Sequence, residues 1–345
     1  MPEDTNTPTI KSIGDFAKHL GLSRWTVSRI LNGHKGFHEE TLNRVQSEMK
    51  RLNFQPNLMA RSLRGAKTGL VGVCMQGMGS PILARKISSI QESLQTRGLR
   101  GMIEITSGDA EAERDVINHF LSLNVDGIIM VGSVLRESDP IFERIQEAKV
   151  LSVSVDPANP VPIPRVEVDR RMGMGLCLRH LLQKGHKRIV LLGLESDPVY
   201  GSKRIEGLKE ACKTLEMSWE ETFVSLVIDG EKDWSFDYGY ALAQNLLQME
   251  DPPRGVIALN DEVAVGAMQA INEWGYAVPG DFSVIGFDNL GVGEWTKPKL
   301  TSVAQNVEEL VEASISVFER SKELEEGEGP HVSLVQPRMI VRGSS

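Results

Sequence analysis

The first 55 residues carry hydrophobic side chains at helical spacing in three short runs. Ser12 can cap a helix, Gly21 stands where that helix must end, and Ser23 can cap the next. The first stripe follows the i, i+3, i+4, i+7 rule and consists of Ile13, Phe16, Ala17 and Leu20. The second consists of Val27, Ile30 and Leu31, and the third, within 39–52, of Leu42, Val45, Met49 and Leu52. The spacing predicts a helix-turn-helix covered by a third helix, although a small helical bundle without a DNA-binding role has the same pattern.

From residue 70 onwards, short apolar runs alternate with stretches of helical length. The strand-like runs are LVGVC, MIEIT, GIIMV, LSVSV, RIVLL, FVSLVI, GVIAL and FSVIGF. Such alternation indicates parallel sheets flanked by helices. We predict two lobes, about 70–164 and 168–298, with the C-terminal segment crossing back and a ligand cleft between the carboxyl ends of the strands.

The bulk composition is that of a soluble globular protein with two or three cores, since 41% of the 345 residues are hydrophobic and 25% are charged. No stretch approaches the roughly 18 to 20 apolar residues of a membrane helix, and the start, MPEDTNTPTI, lacks the basic and apolar segments of a signal peptide. We therefore expect a cytoplasmic protein with no membrane partner. The cysteines Cys74, Cys177 and Cys212 lack metal or redox spacing, which favours buried free thiols.

Charge is distributed unevenly along the chain. Residues 1–69 carry 11 Lys and Arg against 6 Asp and Glu, a charge of +5, which leaves 27 against 41, or −14, for the remainder. DNA affinity depends on neutralising phosphates with Lys and Arg. A basic N-terminal segment followed by an acidic remainder is therefore typical of a DNA-binding protein in which only the first segment contacts the phosphates.

The outward face of the second predicted helix points to the same function. It carries hydrogen-bonding side chains and one large aromatic ring near the helix N-terminus, the end that such motifs insert into the major groove. These residues are Ser23, Arg24, Trp25, Thr26, Ser28 and Arg29.

The run DFAKHLGLSRWTVSRILNG, followed by EETLNRVQSEMKRLNFQPNLMARSLR, resembles the headpiece of the lactose-repressor family. Further runs resemble the effector-binding and dimerisation body of that family, a relative of periplasmic sugar-binding proteins. They are VDGIIMVG, LLQKGHKRIVLLG, RIEGLKEA, LNDEVAVGAMQAINEWGYAVPGDFSVIGFDN, KLTSVAQN and RMIVRGSS. The resemblance implies an all-α headpiece at 9–55, a hinge helix and linker at 56–69, and a periplasmic-binding-protein-like α/β body at 70–345.

By this resemblance, Arg24, Trp25 and Arg29 face bases, whereas Ser23, Thr26, Ser28 and Asn32 mainly hold phosphates. The hinge segment NLMARSLR is too short to hold a helix alone in water. The resemblance implies that it pairs with the hinge of a second copy in the minor groove, where Leu63 inserts between bases and bends the DNA. A homodimer on a roughly palindromic operator follows.

The resemblance also implies an effector site in the cleft, made of Asp156, Arg204, Trp234, Asn260 and Asp288. Carboxylates, a guanidinium and an amide can bind adjacent hydroxyls, and an indole ring can stack on a sugar face. Plain alternatives remain for each residue. Asp288 and Asn260 could cap turns, Arg204 could pair with Glu206, and Trp234 could belong to the core.

Enzyme motifs are missing from the expected places: no GxSxG elbow, HExxH, phosphate-binding loop or GxGxxG opens a helix after a strand. Two alternatives remain. The many carboxylates could serve a hydrolase, and a stand-alone binding protein for transport would have the same kind of cleft. The head and the missing signal peptide favour a transcriptional regulator, expected to be a repressor, without cofactor, controlled by a sugar or sugar derivative.

Overall fold

The computed structural model describes residues 10, 12–31, 36–54, 67–77, 79–194, 202–228, 234–324 and 329–345. They belong to two compact units, Met1–Thr68 and Gly69–Ser345, here called the head and the body. In the described part of the chain, no helix combines the length and the apolar composition needed to cross a membrane.

The described part of the head contains α1 (Ile13–Leu20), α2 (Arg24–Leu31) and α3 (Glu39–Arg51). Helix α1 begins where Ser12 accepts a hydrogen bond from the Asp15 backbone N–H (3.1 Å) and ends at Gly21, whose φ of 63° is in the left-handed region. The predicted stripes pack around Phe16, with Leu31, Leu42, Met49 and Leu52 half-buried at the edge of this core. The Phe16 ring stacks on Phe54 with centroids 4.5 Å apart. The predicted helical head is confirmed.

The described residues of the body form two sheets. The strands of the first are β1 (Leu70–Met75), β2 (Arg100–Ile105), β3 (Gly127–Val131), β4 (Leu151–Val155), β5 (Arg165–Val168) and β11 (Val332–Val335). They are all parallel, in the order β11-β5-β4-β3-β1-β2. The helices of this lobe are α4 (Pro81–Thr96), α5 (Ala110–Ser122), α6 (Ile141–Glu147), α12 (Val307–Glu319) and α13 (Ser321–Leu324).

The second sheet contains β6 (Ile189–Leu192), β7 (Phe223–Leu226), β8 (Gly255–Ala258), β9 (Ser283–Asp288), β10 (Thr301–Ala304) and β12 (Arg338–Ile340). Its order is β12-β10-β9-β8-β6-β7, and it is parallel except for the β10–β12 pair. The helices of this lobe are α7 (Arg170–Gln183), α8 (Ser202–Thr214), α9 (Trp219–Thr222), α10 (Phe236–Leu247) and α11 (Asp261–Glu273), and a 3-10 turn spans Gly291–Glu294. The two predicted parallel-sheet lobes are confirmed.

All eight predicted strands are present, and four short strands, β5, β10, β11 and β12, were missed. The chain crosses between the sheets after β5, after β10 and after β11, so residues on the crossing segments lie at the carboxyl ends of both sheets. The cysteines Cys74, Cys177 and Cys212 are buried free thiols, as expected.

Close helix packing in the second lobe depends on two glycines. A Cβ on Gly266 would lie 1.9 Å from the carbonyl oxygen of Phe236, and one on Gly239 would lie 2.2 Å from that of Val263. Helices α10 and α11 therefore approach backbone to backbone, which fixes α11 and the cleft residue that precedes it.

Candidate functional site

The N-terminus of α2 is built by Ser23. Its hydroxyl accepts a hydrogen bond from the Thr26 backbone N–H (3.0 Å) and lies 2.8 Å from the Thr26 hydroxyl. Val27 and Ile30 face the core of the head, so the opposite side of the helix is turned to solvent. This geometry leaves a polar helix end available to a groove of DNA.

Trp25 and Arg29 form a pair on this outward side. Trp25 is 63% exposed, which is unusual for a tryptophan without a partner surface. The Arg29 guanidinium carbon lies 4.9 Å from the centroid of its ring. Ser23 and Arg24 are also exposed, whereas Thr26, Ser28 and Arg29 are half-buried. Asn32 and Leu63, the two remaining DNA-contact predictions, lie outside the described residues.

The body contains a cleft of about 320 Å³ that collects all five residues predicted for the effector: Asp156, Arg204, Trp234, Asn260 and Asp288. Asp156 follows β4, Asn260 follows β8 by two residues, and Asp288 ends β9. The cleft thus lies at the carboxyl ends of parallel strands from both lobes. The lining also includes residues that were not predicted, among them Lys86, Arg170, Lys203 and Gln305.

Asp156 is the centre of a buried ion network. One carboxylate oxygen accepts hydrogen bonds from the Val168 backbone N–H (2.8 Å) and Arg170 (2.7 Å), and the other accepts one from the Lys86 ammonium (2.5 Å). Burial opposes ionisation of this carboxyl, but Arg170 and Lys86 outweigh it and hold its pKa well below the usual range. Both oxygens are therefore engaged within the protein itself.

Lys86 is a fully buried lysine on α4, and the other buried residues of this helix are Ile82, Ile87, Ile90, Ser93 and Leu94. Burial lowers its pKa, and the repulsion of Arg170 acts in the same direction, while Asp156 opposes the shift. The sequence signal that could have revealed this residue is a single lysine in an inward-facing stripe, since such a charge needs a buried partner.

Asp288 and Arg204 form a second buried group. The Gln305 amide donates to the Asp288 carboxylate (2.5 Å), and the Arg204 guanidinium carbon lies 4.7 Å from the Phe287 ring centroid. Burial raises the pKa of Asp288 against the opposing effect of Arg204. Burial, reinforced by Arg170, lowers the pKa of Arg204 to about 10. Glu206, the alternative partner for Arg204, forms an ion pair with Arg171 (2.5 Å).

Asn260 caps α11, because its side-chain oxygen accepts from the Val263 backbone N–H (2.8 Å). Its amide nitrogen donates to the carbonyl oxygen of Trp234 (3.0 Å). The half-buried Trp234 side chain packs against the second-lobe cores and also lines the cleft. Both residues therefore have a structural role at the place where an effector role is predicted.

Asp261 supports the cleft from behind Asp288. Its carboxylate accepts from the Leu290 backbone N–H (2.5 Å) and the Ser302 hydroxyl (2.5 Å). Burial, together with the negative charge of Asp288, raises its pKa to about 7. In the described residues no cluster of three His, Cys, Asp or Glu side chains could hold a metal ion.

Comparisons with known proteins agree with the two units. Residues 12–57 match the family model of bacterial regulatory proteins, lacI family, and residues 178–345 match that of the periplasmic binding protein-like domain. The HTH-type transcriptional repressor PurR of Mannheimia succiniciproducens is 30% identical over 90% of this chain and 91% of its own length. Catabolite control protein A of Priestia megaterium is 28% identical over 85% and 87%.

Solved structures share the fold. The Lac repressor dimer bound to operator and an anti-inducer superposes with a TM-score of 0.82, at 24% identity, over 97% of this chain and 98% of that one. A lacI-family regulator from Enterococcus faecium with bound ribose gives a TM-score of 0.68, at 26% identity, over 80% and 98%. The family consists of DNA-binding transcriptional regulators and not of enzymes, which confirms the expectation of a non-enzyme. The length and identity of these matches show that the chain belongs to the lacI family of bacterial regulatory proteins.

Proposed function

We propose that this chain is a repressor that binds operator DNA as a homodimer and whose operator affinity is set by a small hydroxylated effector, a sugar or sugar derivative, in the body cleft. The observation that carries the proposal is the presence, in one chain, of a helix-turn-helix with an exposed polar helix end and a polar cleft at the carboxyl ends of two sheets. A transport protein would have no use for such a head.

For the head, we assign base contacts to Arg24, Trp25 and Arg29, and phosphate contacts to Ser23, Thr26, Ser28 and Asn32. The exposure of Trp25 and its contact with Arg29 support this division, because the pair forms one surface at the helix end. We assign the DNA-binding domain to 9–55 and the hinge, with Leu63 inserting between bases, to 56–69. The effector-binding and dimerisation body would then be 70–345, with lobes of about 70–164 and 168–298.

The homodimer is supported by the operator-bound Lac repressor dimer, whose chain superposes on this one over almost its full length. Two heads bury more DNA than one, and two-fold symmetry matches a palindromic site. Since the target is bacterial DNA, we assign the protein to the cytoplasm.

The effector class is supported by cleft size and chemistry. A cavity of about 320 Å³ accommodates a small molecule, and its lining combines guanidinium, carboxylate, amide and indole groups. Ribose and cellobiose are bound by two proteins of the same fold. An effector changes operator affinity only as far as it prefers one lobe arrangement over the other.

Arg29→Ala is expected to weaken operator binding by about 1 to 3 kcal/mol, because a bidentate contact to one base would be lost. The preference should relax mainly at one base pair, which competition binding with single-position operator variants measures. Lys50→Ala, which removes an exposed positive charge from α3, serves as the control for charge alone. Equal loss of affinity for operator and random DNA would assign Arg29 to phosphate contacts.

Asp288→Ala is expected to lower effector affinity at least tenfold. Without this buried carboxylate, the effector hydroxyls that bind it are left unpaired, which costs about 1 to 3 kcal/mol of binding free energy or more. Calorimetry against pentoses, hexoses, disaccharides, their acids and nucleobases first identifies the ligand, and operator binding is then repeated with each hit. Asp251→Ala removes an exposed carboxylate of the same lobe and is the control. Tight binding of a purine alone, or an unaffected Asp288→Ala variant, would refute the proposed site.

A further inference from the structure

The described lining of the cleft contains more basic than acidic side chains. Lys86, Arg170, Lys203 and Arg204 contribute four positive charges, and Asp156 and Asp288 contribute two carboxylates. Five of these six residues are less than one-fifth exposed to water. The sixth, Lys203, has a side chain that is 31% exposed. Charge in such a place is weakly screened, so the imbalance acts on any ligand that enters.

The nearest acids are shared between cations. Asp156 serves both Lys86 and Arg170. Glu167, just outside the cleft, serves both Lys203 and Arg165. One negative charge therefore faces two positive charges in each of these ion groups.

The remaining carboxylate does not restore the balance. Asp288 is 5% exposed and adds one carboxylate, so the lining still holds four cations against two carboxylates. Asp261 lies behind it without lining the cleft, and burial holds its pKa at about 7. Burial lowers the pKa of Arg204, and the positive charge of Arg170 acts in the same direction, against the carboxylates of Asp288 and Asp156.

A hydrogen-bond acceptor also stands without a partner in this lining. Gln305 is 3% exposed, its amide nitrogen donates to Asp288, and its amide oxygen is buried without a hydrogen bond in the part of the chain that the structure describes. A buried acceptor of this kind requires a donor, which a ligand hydroxyl can supply.

We propose that the effector is a hydroxylated monocarboxylate, that is, a sugar acid and not a neutral sugar, with its carboxylate held by the basic side chains and a hydroxyl donating to Gln305. A carboxylate would neutralise part of the surplus charge through charge-assisted hydrogen bonds. A single negative charge fits better than the near-dianion of a phosphate ester, because Lys86, Arg170 and Lys203 each already have an acidic partner. This inference rests on the proposed function, since it specifies the ligand of the same cleft.

The test is calorimetry on the full-length protein with matched pairs of probes: glucuronate and glucose, galacturonate and galactose, gluconate and glucitol, with glucose 6-phosphate added. We expect at least one acid to bind about tenfold or more tightly than its neutral counterpart, as charge-assisted bonds require. Lys86→Met, which removes a cation but keeps similar length, should reduce this preference. Lys203→Met tests the same point in a less buried position, should Lys86→Met fail to fold. Lys209→Met, an exposed lysine near Trp219, is the matched control and should keep the preference.

The outcomes separate the two proposals. Tight binding of neutral sugars with no gain for the acids would overturn the monocarboxylate inference and leave the sugar-gated repressor intact. A phosphate ester that outcompetes every carboxylate would overturn it as well. Failure of every probe to bind or to change operator affinity would contradict both proposals. If both Lys86→Met and Lys203→Met kept the preference for the acid, the proposal that these cations hold the effector carboxylate would be wrong.

Discussion

Phe16→Ala is expected to abolish operator binding while the body still folds and binds its ligand. Phe16 is fully buried at the centre of the head and stacks on Phe54. Truncating such a ring costs about 3 to 5 kcal/mol, which is comparable to the whole stability of so small a unit. The head should therefore be largely unfolded at the temperature of the binding assay.

The measurement combines operator binding with thermal unfolding of the full chain, and calorimetry reports whether the cleft still binds ligand. Ser47→Ala is the control, because Ser47 is an exposed residue of α3 whose hydroxyl donates to the Arg44 carbonyl oxygen of the same helix. Gly69–Ser345 is a compact unit with its own cores, so its unfolding should be unchanged. Operator binding at the wild-type level would show that the head tolerates the cavity and that the buried ring is not needed.

The helices of the head could be predicted because they depend on the spacing of hydrophobic residues over short stretches of sequence. Helical spacing puts Phe16, Val27 and Val45 in one core, and all three are fully buried. In the body, long apolar runs predicted eight strands. The strands β6, β7 and β8 contain four residues each but lie in apolar runs of five or six residues. The runs RVEV, TSVA, VSLV and RMI were missed because each holds only two or three apolar residues, too few for periodicity to separate a strand from a loop.

The place of the cleft was also predictable, since strand ends of open parallel sheets meet there. The resemblance to a known family supplied the five effector residues, and the structure collects them in one cavity. The capping role of Asn260 was among the alternatives, because a helix cap depends on local sequence. The ion partners were not predictable, since the pairing of Lys86 with Asp156 joins residues 70 positions apart. Spacing along one element carries no information about a partner on another.

Asp156→Asn is expected to destabilise the body by about 3 to 5 kcal/mol, because it leaves Lys86 and Arg170 buried beside a neutral amide. In the wild type this carboxylate accepts from both cations and from the Val168 backbone N–H. An amide presents one acceptor oxygen and directs two donors at the remaining groups. Urea unfolding of the full chain, monitored on the body transition, measures the loss, and Asp251→Asn at an exposed position is the control.

Two experiments separate the contribution of the Asp156 charge from the contribution of its hydrogen bonds. If an unbalanced cation causes the loss, Lys86→Met combined with Asp156→Asn should be more stable than Asp156→Asn alone, since the double variant removes one of the two stranded charges. The pH dependence gives a second check. The pKa of Asp156 is held below its unfolded value, so its contribution is complete above about pH 4 and decreases as the pH falls towards the folded pKa. The gap in stability between wild type and Asp156→Asn should therefore narrow on acidification below about pH 4. The charge explanation would be wrong if the stability difference stayed constant across that pH range, or if the double variant were no more stable than Asp156→Asn. The carboxylate would then stabilise the body through the geometry of its hydrogen bonds.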